Sequence, residues 1–109
     1  AWRPIITVYR DPLAVADARS VVDAHLVEAR VIYRDHERRT WSVKASPDHQ
    51  WHYKHAQTPE EVMLIKCFDS IADGSVARRV PHSAFHDALY AAAPPRESIE
   101  IRALVFYDE

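Results

Sequence analysis

The chain has 109 residues and a formal net charge of −2, with acidic and basic residues interspersed along it. This length allows one domain with a modest core, and the charge pattern gives no reason to expect nucleic acid or an anionic membrane as a partner. The single glycine, Gly74, excludes the glycine-rich loops of Walker A and dinucleotide-binding folds, and no apolar run reaches the roughly 18 residues of a membrane span.

Short apolar runs separated by turn residues dominate the chain and predict β-strands rather than long helices. In chain order, the runs with strand character are 5–9, 26–33, 40–45, 51–54, 62–68, 76–80 and 97–107. The last run, from Glu97 to Tyr107, is the longest and predicts the clearest strand. Asp73-Gly74 predicts a turn, and Pro94-Pro95 ends a loop that starts near Ala88.

Helical signals are few and short. The apolar positions Val21, Val22 and Leu26 allow a short helix over 18–26. Thr58-Pro59 followed by Glu61 is a capping-box pattern and predicts a helix of one or two turns. The predicted fold class is therefore mainly β, a barrel or jelly roll with one or two short helices, in a single domain over residues 1–109.

Arg96 and Ser98 form a polar pair at the start of the last predicted strand. Residues two apart on a strand face the same way, and a guanidinium fork beside a hydroxyl suits a carboxylate ligand. The same pattern also fits a surface arginine after a proline loop, and spacing alone does not decide between the two. Arg102 and Lys66 are rival cations, but Arg102 lies beside Glu100, where an internal ion pair is the simpler role.

His82 is the histidine best placed to bind a metal. It precedes Arg96 by fourteen positions, and a non-haem Fe(II), 2-oxoglutarate-dependent oxygenase needs such an order near its C-terminus, with one imidazole on iron and one arginine on the co-substrate. The apolar neighbours Ala84 and Phe85 also suit a buried core histidine. His86 could join His82 on one face only in a helix, and the segment after Pro81 has no helical pattern.

The other candidate groups fit structural roles better. His49, His52 and His55 lack the cysteines that usually complete a zinc set of four, and a strand sends His52 and His55 to opposite faces. Asp69 has no histidine two positions before it, so it is a poor third ligand. Cys67 is expected to be a small buried side chain, and a lone cysteine favours a reducing, cytoplasmic location.

The chain contains no His-x-Asp or His-x-Glu pair, which a site of two histidines and one carboxylate would need. It also begins Ala1-Trp2-Arg3-Pro4, without an initiator Met. Both features lead us to expect the C-terminal part of a longer enzyme, that is, an incomplete domain.

Four blocks of sequence together resemble one protein family. In chain order they are Trp2-Arg3-Pro4, Lys66-Cys67-Phe68-Asp69-Ser70, Pro81-His82-Ser83-Ala84-Phe85 and Arg96-Glu97-Ser98-Ile99-Glu100-Ile101-Arg102-Ala103-Leu104-Val105-Phe106. Their order and spacing are similar to those of the AsaB/CmcJ-like hydroxylase/desaturase proteins, which include 7α-cephem-methoxylase P8-chain relatives and fungal secondary-metabolism oxygenases.

The resemblance implies a double-stranded β-helix that uses Fe(II) and 2-oxoglutarate to oxidise a small organic molecule, by hydroxylation, desaturation or a related reaction. By position, His82 matches the distal histidine ligand of iron, and Arg96 with Ser98 matches the clamp on the far carboxylate of 2-oxoglutarate. The resemblance also implies that family members are longer than this chain and bring the His-x-Asp ligands from an upstream part.

The expected partner is a small-molecule substrate rather than nucleic acid or a membrane. The missing N-terminal part, or a second copy of the chain in a homo-oligomer, would complete the fold. One alternative is a truncated, non-catalytic accessory or binding protein, related to the methoxylase P8 chain, that keeps the β-fold without iron. Another is a zinc-binding module built on the histidines.

Overall fold

The computed structural model describes residues 1–107, and within them seven short strands form the regular structure. The strands are β1 (Trp2–Pro4), β2 (Leu13–Ala16), β3 (Leu26–Ile32), β4 (Glu37–Val43), β5 (Trp51–Tyr53), β6 (His82–Ala84) and β7 (Ser98–Glu100). Three single 3-10 turns lie at Ala18–Ser20, Asp23–His25 and Ala88–Tyr90, and no α-helix occurs in this part of the chain. The prediction of a mainly β fold is confirmed, although the short helices are 3-10 turns.

The strands pair in three small sheets. β1 pairs with β7 in an antiparallel ladder, β2 lies between β5 and β6, and β3 pairs with β4. In the first sheet, Pro4 lies opposite Ser98 and Trp2 lies opposite Glu100. Both Trp2 and Pro4 are buried, so the start of the chain fixes the position of β7.

The hairpin of β3 and β4 is the longest ladder among the described residues, with Leu26 opposite Val43 and Ile32 opposite Glu37. The alternating pattern predicted the first strand over 26–33, and this prediction is confirmed. The second strand begins at Glu37, three residues before the predicted start at Thr40. Charge pairing explains the extension: Nε of Arg30 donates to Oε1 of Glu37 at 2.8 Å across the ladder.

The prediction of a long final strand over 97–107 is wrong in its length. β7 ends at Glu100, and residues 101–107 have no regular secondary structure. Beyond Glu100, only Ile101 continues the pairing, by exchanging backbone hydrogen bonds with Ala1 at 2.9 and 2.8 Å. The side chains of Leu104 and Phe106 are 84% and 85% exposed. A segment with high strand propensity forms a strand only where a neighbouring backbone pairs with it.

Other local predictions failed for the same reason. The apolar runs 5–9 and 62–68 each meet a partner at one bridge only, Val8 with Gln57 and Met63 with Trp2, so no ladder forms. The run 76–80 forms no strand. Cys67, expected to be buried, is exposed, because the irregular segment around it packs no strand face into a core.

The two helix predictions also need correction. The segment 18–26 forms two separate 3-10 turns before β3 begins at Leu26. At Thr58 the capping contact is present, since the Thr58 backbone N–H donates to Oε2 of Glu61 at 2.9 Å. The contact closes a turn rather than a helix, because the chain returns to an extended bridge at Met63.

Contacts between Cα atoms divide the chain into two units. The first contains Ala1–Ala14, Tyr53–Lys66 and the described residues from Ser83 onward, and the second contains Val15–His52 and Cys67–His82. The first unit has a small core of Trp2, Val8 and Leu13, against which Met63 and Ile65 pack. The second unit contains the β3–β4 hairpin and the turn at Gly74, whose φ of 86° suits a glycine. No helix in the described residues is long and apolar enough to cross a membrane.

Asp17 organises a turn in the second unit. Its carboxylate accepts the backbone N–H of Arg19 at 2.9 Å and the Nε–H of Arg19 at 3.0 Å. The hydroxyl of Ser20 donates to the Asp17 carbonyl at 2.6 Å and accepts the backbone N–H of Gln50 at 3.0 Å. The side-chain hydrogen bond from Arg19, followed by the backbone hydrogen bond, lowers the pKa of Asp17 to about 2.

We expect Asp17→Asn to destabilise the chain at neutral pH and to have little effect below about pH 2. Because the folded pKa of Asp17 lies below its ordinary value of 3.8, its carboxylate stabilises the fold above that value. The stabilisation is lost as the pH falls through the folded pKa. Urea unfolding at several pH values measures the difference. Asp48→Asn is the matched control, since the carboxylate of Asp48 forms no ion pair with the described residues. A difference from wild type that persisted at pH 2 would contradict the assignment.

Candidate functional site

Arg96 lies two residues before β7, in the first unit, and its side chain is half-buried. Its Nη1 donates to the backbone carbonyl of Asp11 at 2.9 Å, and its guanidinium carbon is 5.8 Å from the centroid of the buried Trp2 ring. A guanidinium has five N–H donors, and Arg96 uses one of them within the described residues. The remaining donors are available for an anionic ligand, and the two contacts restrict the orientation of the group.

Ser98 is the first residue of β7 and is also half-buried. It lies opposite Pro4 in the ladder, and its hydroxyl makes no hydrogen bond with residues 1–107. The strand begins only at Ser98, so the argument that Arg96 and Ser98 share one strand face does not apply to Arg96. The structure thus gives a restrained guanidinium at Arg96 and, two residues later in the chain, a hydroxyl with no hydrogen-bond partner among residues 1–107.

Asp11 belongs to the surroundings of Arg96, and sequence reasoning did not identify it. Its φ is 52°, in the left-handed region, and its carbonyl accepts the hydrogen bond from Arg96. Its carboxylate lies 3.4 Å from Nε of Arg10 and 3.4 Å from Nδ1 of His86. The available signal was the identity of Asp11 alone, because aspartate tolerates this conformation better than most residues, whereas the following Pro12 normally favours an extended backbone.

His82 is the first residue of β6 and belongs to the second unit. Its side chain is exposed, so it is not a buried core histidine. Its Nδ1 lies 3.0 Å from the carbonyl of Val80. A carbonyl can only accept, so this contact places a proton on Nδ1, and in the neutral ring the lone pair then lies on Nε2. Metal-binding histidines commonly have this arrangement, in which a backbone carbonyl fixes the tautomer and the ring orientation.

The other histidines contact different partners. Nε2 of His49 lies 2.9 Å from Nδ1 of His25, His55 lies against Tyr90 with a ring-centroid distance of 5.3 Å, and His52 is exposed on β5. Within residues 1–107, no three side chains from His, Cys, Asp and Glu gather into a set that could hold a metal ion. His82 can therefore supply one ligand, and the described residues do not supply the others.

Two further candidates have structural contacts. Oδ1 of Asp69 accepts the backbone N–H of Ile71 at 2.9 Å, which closes a turn. Nε of Arg102 donates to Oε1 of Glu100 at 2.7 Å, so the predicted ion pair is present. The pair is not internal, however, because the side chain of Arg102 is 80% exposed.

A cavity of about 610 Å³ lies within the second unit. Its lining includes the apolar side chains of Val21 and Val76 and the guanidinium of Arg78, whose Nε donates to the carbonyl of Asp69 at 3.2 Å. Pro81, the residue immediately before His82, also lines it. The volume is in the range of small-molecule sites.

Comparisons with known proteins all indicate the same protein family. Residues 1–106 match the family model described as the Oxidoreductase/YMDC permease-like domain. The hydroxylase/desaturase efuI of Hormonema carpetanum is 45% identical over 100% of the chain and 40% of its own length. The hydroxylase/desaturase asaB of Aspergillus flavus is 43% identical over 99% of the chain and 54% of its own length.

A solved structure is also similar. A tryptophan-to-phenylalanine variant of the iron and alpha-ketoglutarate-dependent endoperoxidase NvfI superimposes with a TM-score of 0.80 at 30% sequence identity, over 89% of the chain and 36% of the endoperoxidase. The chain thus spans about half or less of the relatives it matches. It belongs to the family described as the Oxidoreductase/YMDC permease-like domain, and its resemblance to the AsaB/CmcJ-like hydroxylase/desaturase proteins is confirmed.

Proposed function

We propose that the chain is the C-terminal part of a non-haem Fe(II), 2-oxoglutarate-dependent hydroxylase or desaturase that oxidises a small organic molecule. The observation that carries the proposal is the 30% identity and TM-score of 0.80 to an iron and alpha-ketoglutarate-dependent endoperoxidase. The names of the relatives efuI and asaB support the same reaction class. Because these proteins are about twice as long or more, the activity belongs to the complete protein that contains this chain.

In this proposal, His82 supplies one iron ligand through Nε2. The Val80 carbonyl 3.0 Å from Nδ1 holds the proton on that nitrogen, so Nε2 keeps the lone pair that a metal needs. The His82 side chain is exposed on β6. An iron ligand must be exposed in this part of the protein if the other ligands come from elsewhere. The other histidine and the carboxylate come from outside residues 1–109.

Arg96 and Ser98 hold the far carboxylate of 2-oxoglutarate in this proposal. Arg96 is oriented by the Asp11 carbonyl and keeps four N–H donors for a ligand. A carboxylate with its two oxygens can accept a pair of hydrogen bonds from a guanidinium fork, and the hydroxyl of Ser98 adds a third donor. Bound Fe(II) and 2-oxoglutarate supply the activation of O2, with succinate and carbon dioxide as by-products.

We further propose that the substrate occupies the cavity that Val21, Val76 and Arg78 line. Its walls combine apolar side chains with three arginines, Arg19, Arg78 and Arg79, and with two carboxylates, Asp17 and Asp23, which suits a small molecule with both apolar and polar or charged groups. The position of Pro81, which lines the cavity and immediately precedes His82, supports this choice.

We also propose that residues 1–109 form one incomplete domain, and that an upstream part or a second copy of the chain completes the fold. The proposed location is the cytoplasm.

By itself, the 109-residue chain should convert no 2-oxoglutarate to succinate, whereas the complete protein with Fe(II) should do so. One imidazole cannot hold iron in a defined geometry, and the described residues lack a metal-binding set of three. Succinate formation and O2 consumption, measured on both proteins under the same conditions, test this expectation. Turnover by the chain alone would contradict our assignment of it as one part of the site. Absence of both iron binding and turnover in the complete protein would favour the accessory, non-catalytic alternative.

A further inference from the structure

We propose that Asp11 is a positioning residue for the co-substrate site, and that its left-handed backbone, rather than its carboxylate, performs this role. The inference rests on the proposed function of Arg96. Asp11 and Arg96 both lie in the first unit, and the backbone of Asp11 has an unusual conformation.

The backbone at Asp11 has a φ of 52°. Positive φ is uncommon for residues other than glycine, and the residue before a proline is normally restricted to extended conformations. Pro12, which follows, is buried. Conformations of this kind persist only where surrounding contacts hold them, and they cluster at functional sites.

The conformation has a specific geometric result. It directs the Asp11 carbonyl to Nη1 of Arg96 at 2.9 Å, while the Trp2 ring lies 5.8 Å from the guanidinium carbon. One neutral acceptor and one aromatic ring thus restrain the guanidinium without neutralising it. Arg96 keeps its full positive charge and most of its donors for a ligand carboxylate.

The Asp11 carboxylate is directed away from Arg96, towards Arg10 and His86. It lies 3.4 Å from both Arg10 and His86, which is longer than the roughly 2.7–2.9 Å of a strong charge-assisted hydrogen bond. Directed at Arg96, this carboxylate would compete with 2-oxoglutarate for the guanidinium. The arrangement therefore separates the neutral carbonyl, which orients Arg96, from the charged group, which would block it.

Three variants of the complete protein test the inference. Asp11→Val places a β-branched side chain where φ is positive and should displace the carbonyl. Asp11→Asn removes the charge but tolerates the conformation. Ala56→Val is the matched control, because Ala56 also has a positive φ, of 50°, lies in the same unit and takes no part in the hydrogen bond or the ring contact that holds Arg96.

We expect Asp11→Val to raise the Kd and KM for 2-oxoglutarate roughly tenfold, as expected when one hydrogen bond that orients a charged group is lost, with little change in kcat. Asp11→Asn should keep the wild-type Kd and KM for 2-oxoglutarate. Ala56→Val should lower the unfolding temperature by a similar amount and leave 2-oxoglutarate binding unchanged. Calorimetric titration of 2-oxoglutarate gives Kd independently of turnover.

The outcomes separate the two proposals. If the wild-type protein does not bind 2-oxoglutarate, the proposed function is wrong. If it does bind, but Asp11→Val behaves like Ala56→Val, the positioning role of Asp11 is wrong and the proposed function survives. An increase in Kd in Asp11→Asn equal to that in Asp11→Val would assign the effect to the carboxylate and overturn the backbone argument.

Discussion

Replacing His82 by alanine in the complete protein is expected to abolish iron-dependent turnover and to leave the fold largely intact. The fold should survive because the side chain is exposed at the start of β6 and makes one hydrogen bond, to the Val80 carbonyl. Turnover should be lost because Nε2 is the atom that we assign to iron, and alanine offers no ligand. Iron content per protein and the rate of succinate formation measure the two effects.

His52→Ala provides the matched control for this experiment. His52 is also an exposed histidine on a short strand of the second unit, but it has no assigned role. We expect it to retain the iron content and the rate of the wild type. If His82→Ala also retained both, His82 would not be an iron ligand, and another residue of the complete protein would have to fill that position.

The parts of the fold that the sequence predicted are those in which local pattern and pairing partner lie close together in the chain. The alternation of Val27, Ala29 and Val31 predicted β3, and its partner strand follows after a short turn. The pairing of β7 with β1 joins segments that are far apart in the sequence, so the extent of β7 depends on a partner that no local pattern reports. Strand propensity in residues 101–107 carries no information about that extent, so the predicted strand was too long.

The site shows a similar division. The pattern Arg96-x-Ser98 and the position of His82 identified the candidate groups by their chemistry, and their roles stay predictions. The sequence could not show that Asp11 lies beside Arg96, because 85 positions separate the two residues. It also placed Arg102 in an internal ion pair, whereas the structure shows this pair at the surface. Whether a segment is buried depends on which other parts of the chain cover it, and the pattern of apolar residues within the segment does not predict this.

This surface position changes what each arginine is expected to contribute. An exposed ion pair such as Arg102 with Glu100 is worth about 0–1 kcal/mol, so Arg102→Lys should alter stability little. A clear loss of stability would be expected only if the pair were buried. Arg96, by contrast, is half-buried against Trp2 and held by the Asp11 carbonyl. A lysine at this position keeps the charge but loses the planar fork.

We therefore expect Arg96→Lys to raise the KM for 2-oxoglutarate at least tenfold in the complete protein, with Arg102→Lys as the matched control. Replacing the fork by a single ammonium loses one charge-assisted hydrogen bond, worth about 1.5–3 kcal/mol, and about 1.4 kcal/mol corresponds to a factor of ten in affinity. Steady-state kinetics over a range of 2-oxoglutarate concentrations, together with urea unfolding of each variant, separate binding from stability. The control should keep the wild-type KM. A large rise in KM for Arg102→Lys with no change for Arg96→Lys would move the carboxylate anchor to Arg102, and the assignment of Arg96 and Ser98 to the co-substrate would then be wrong.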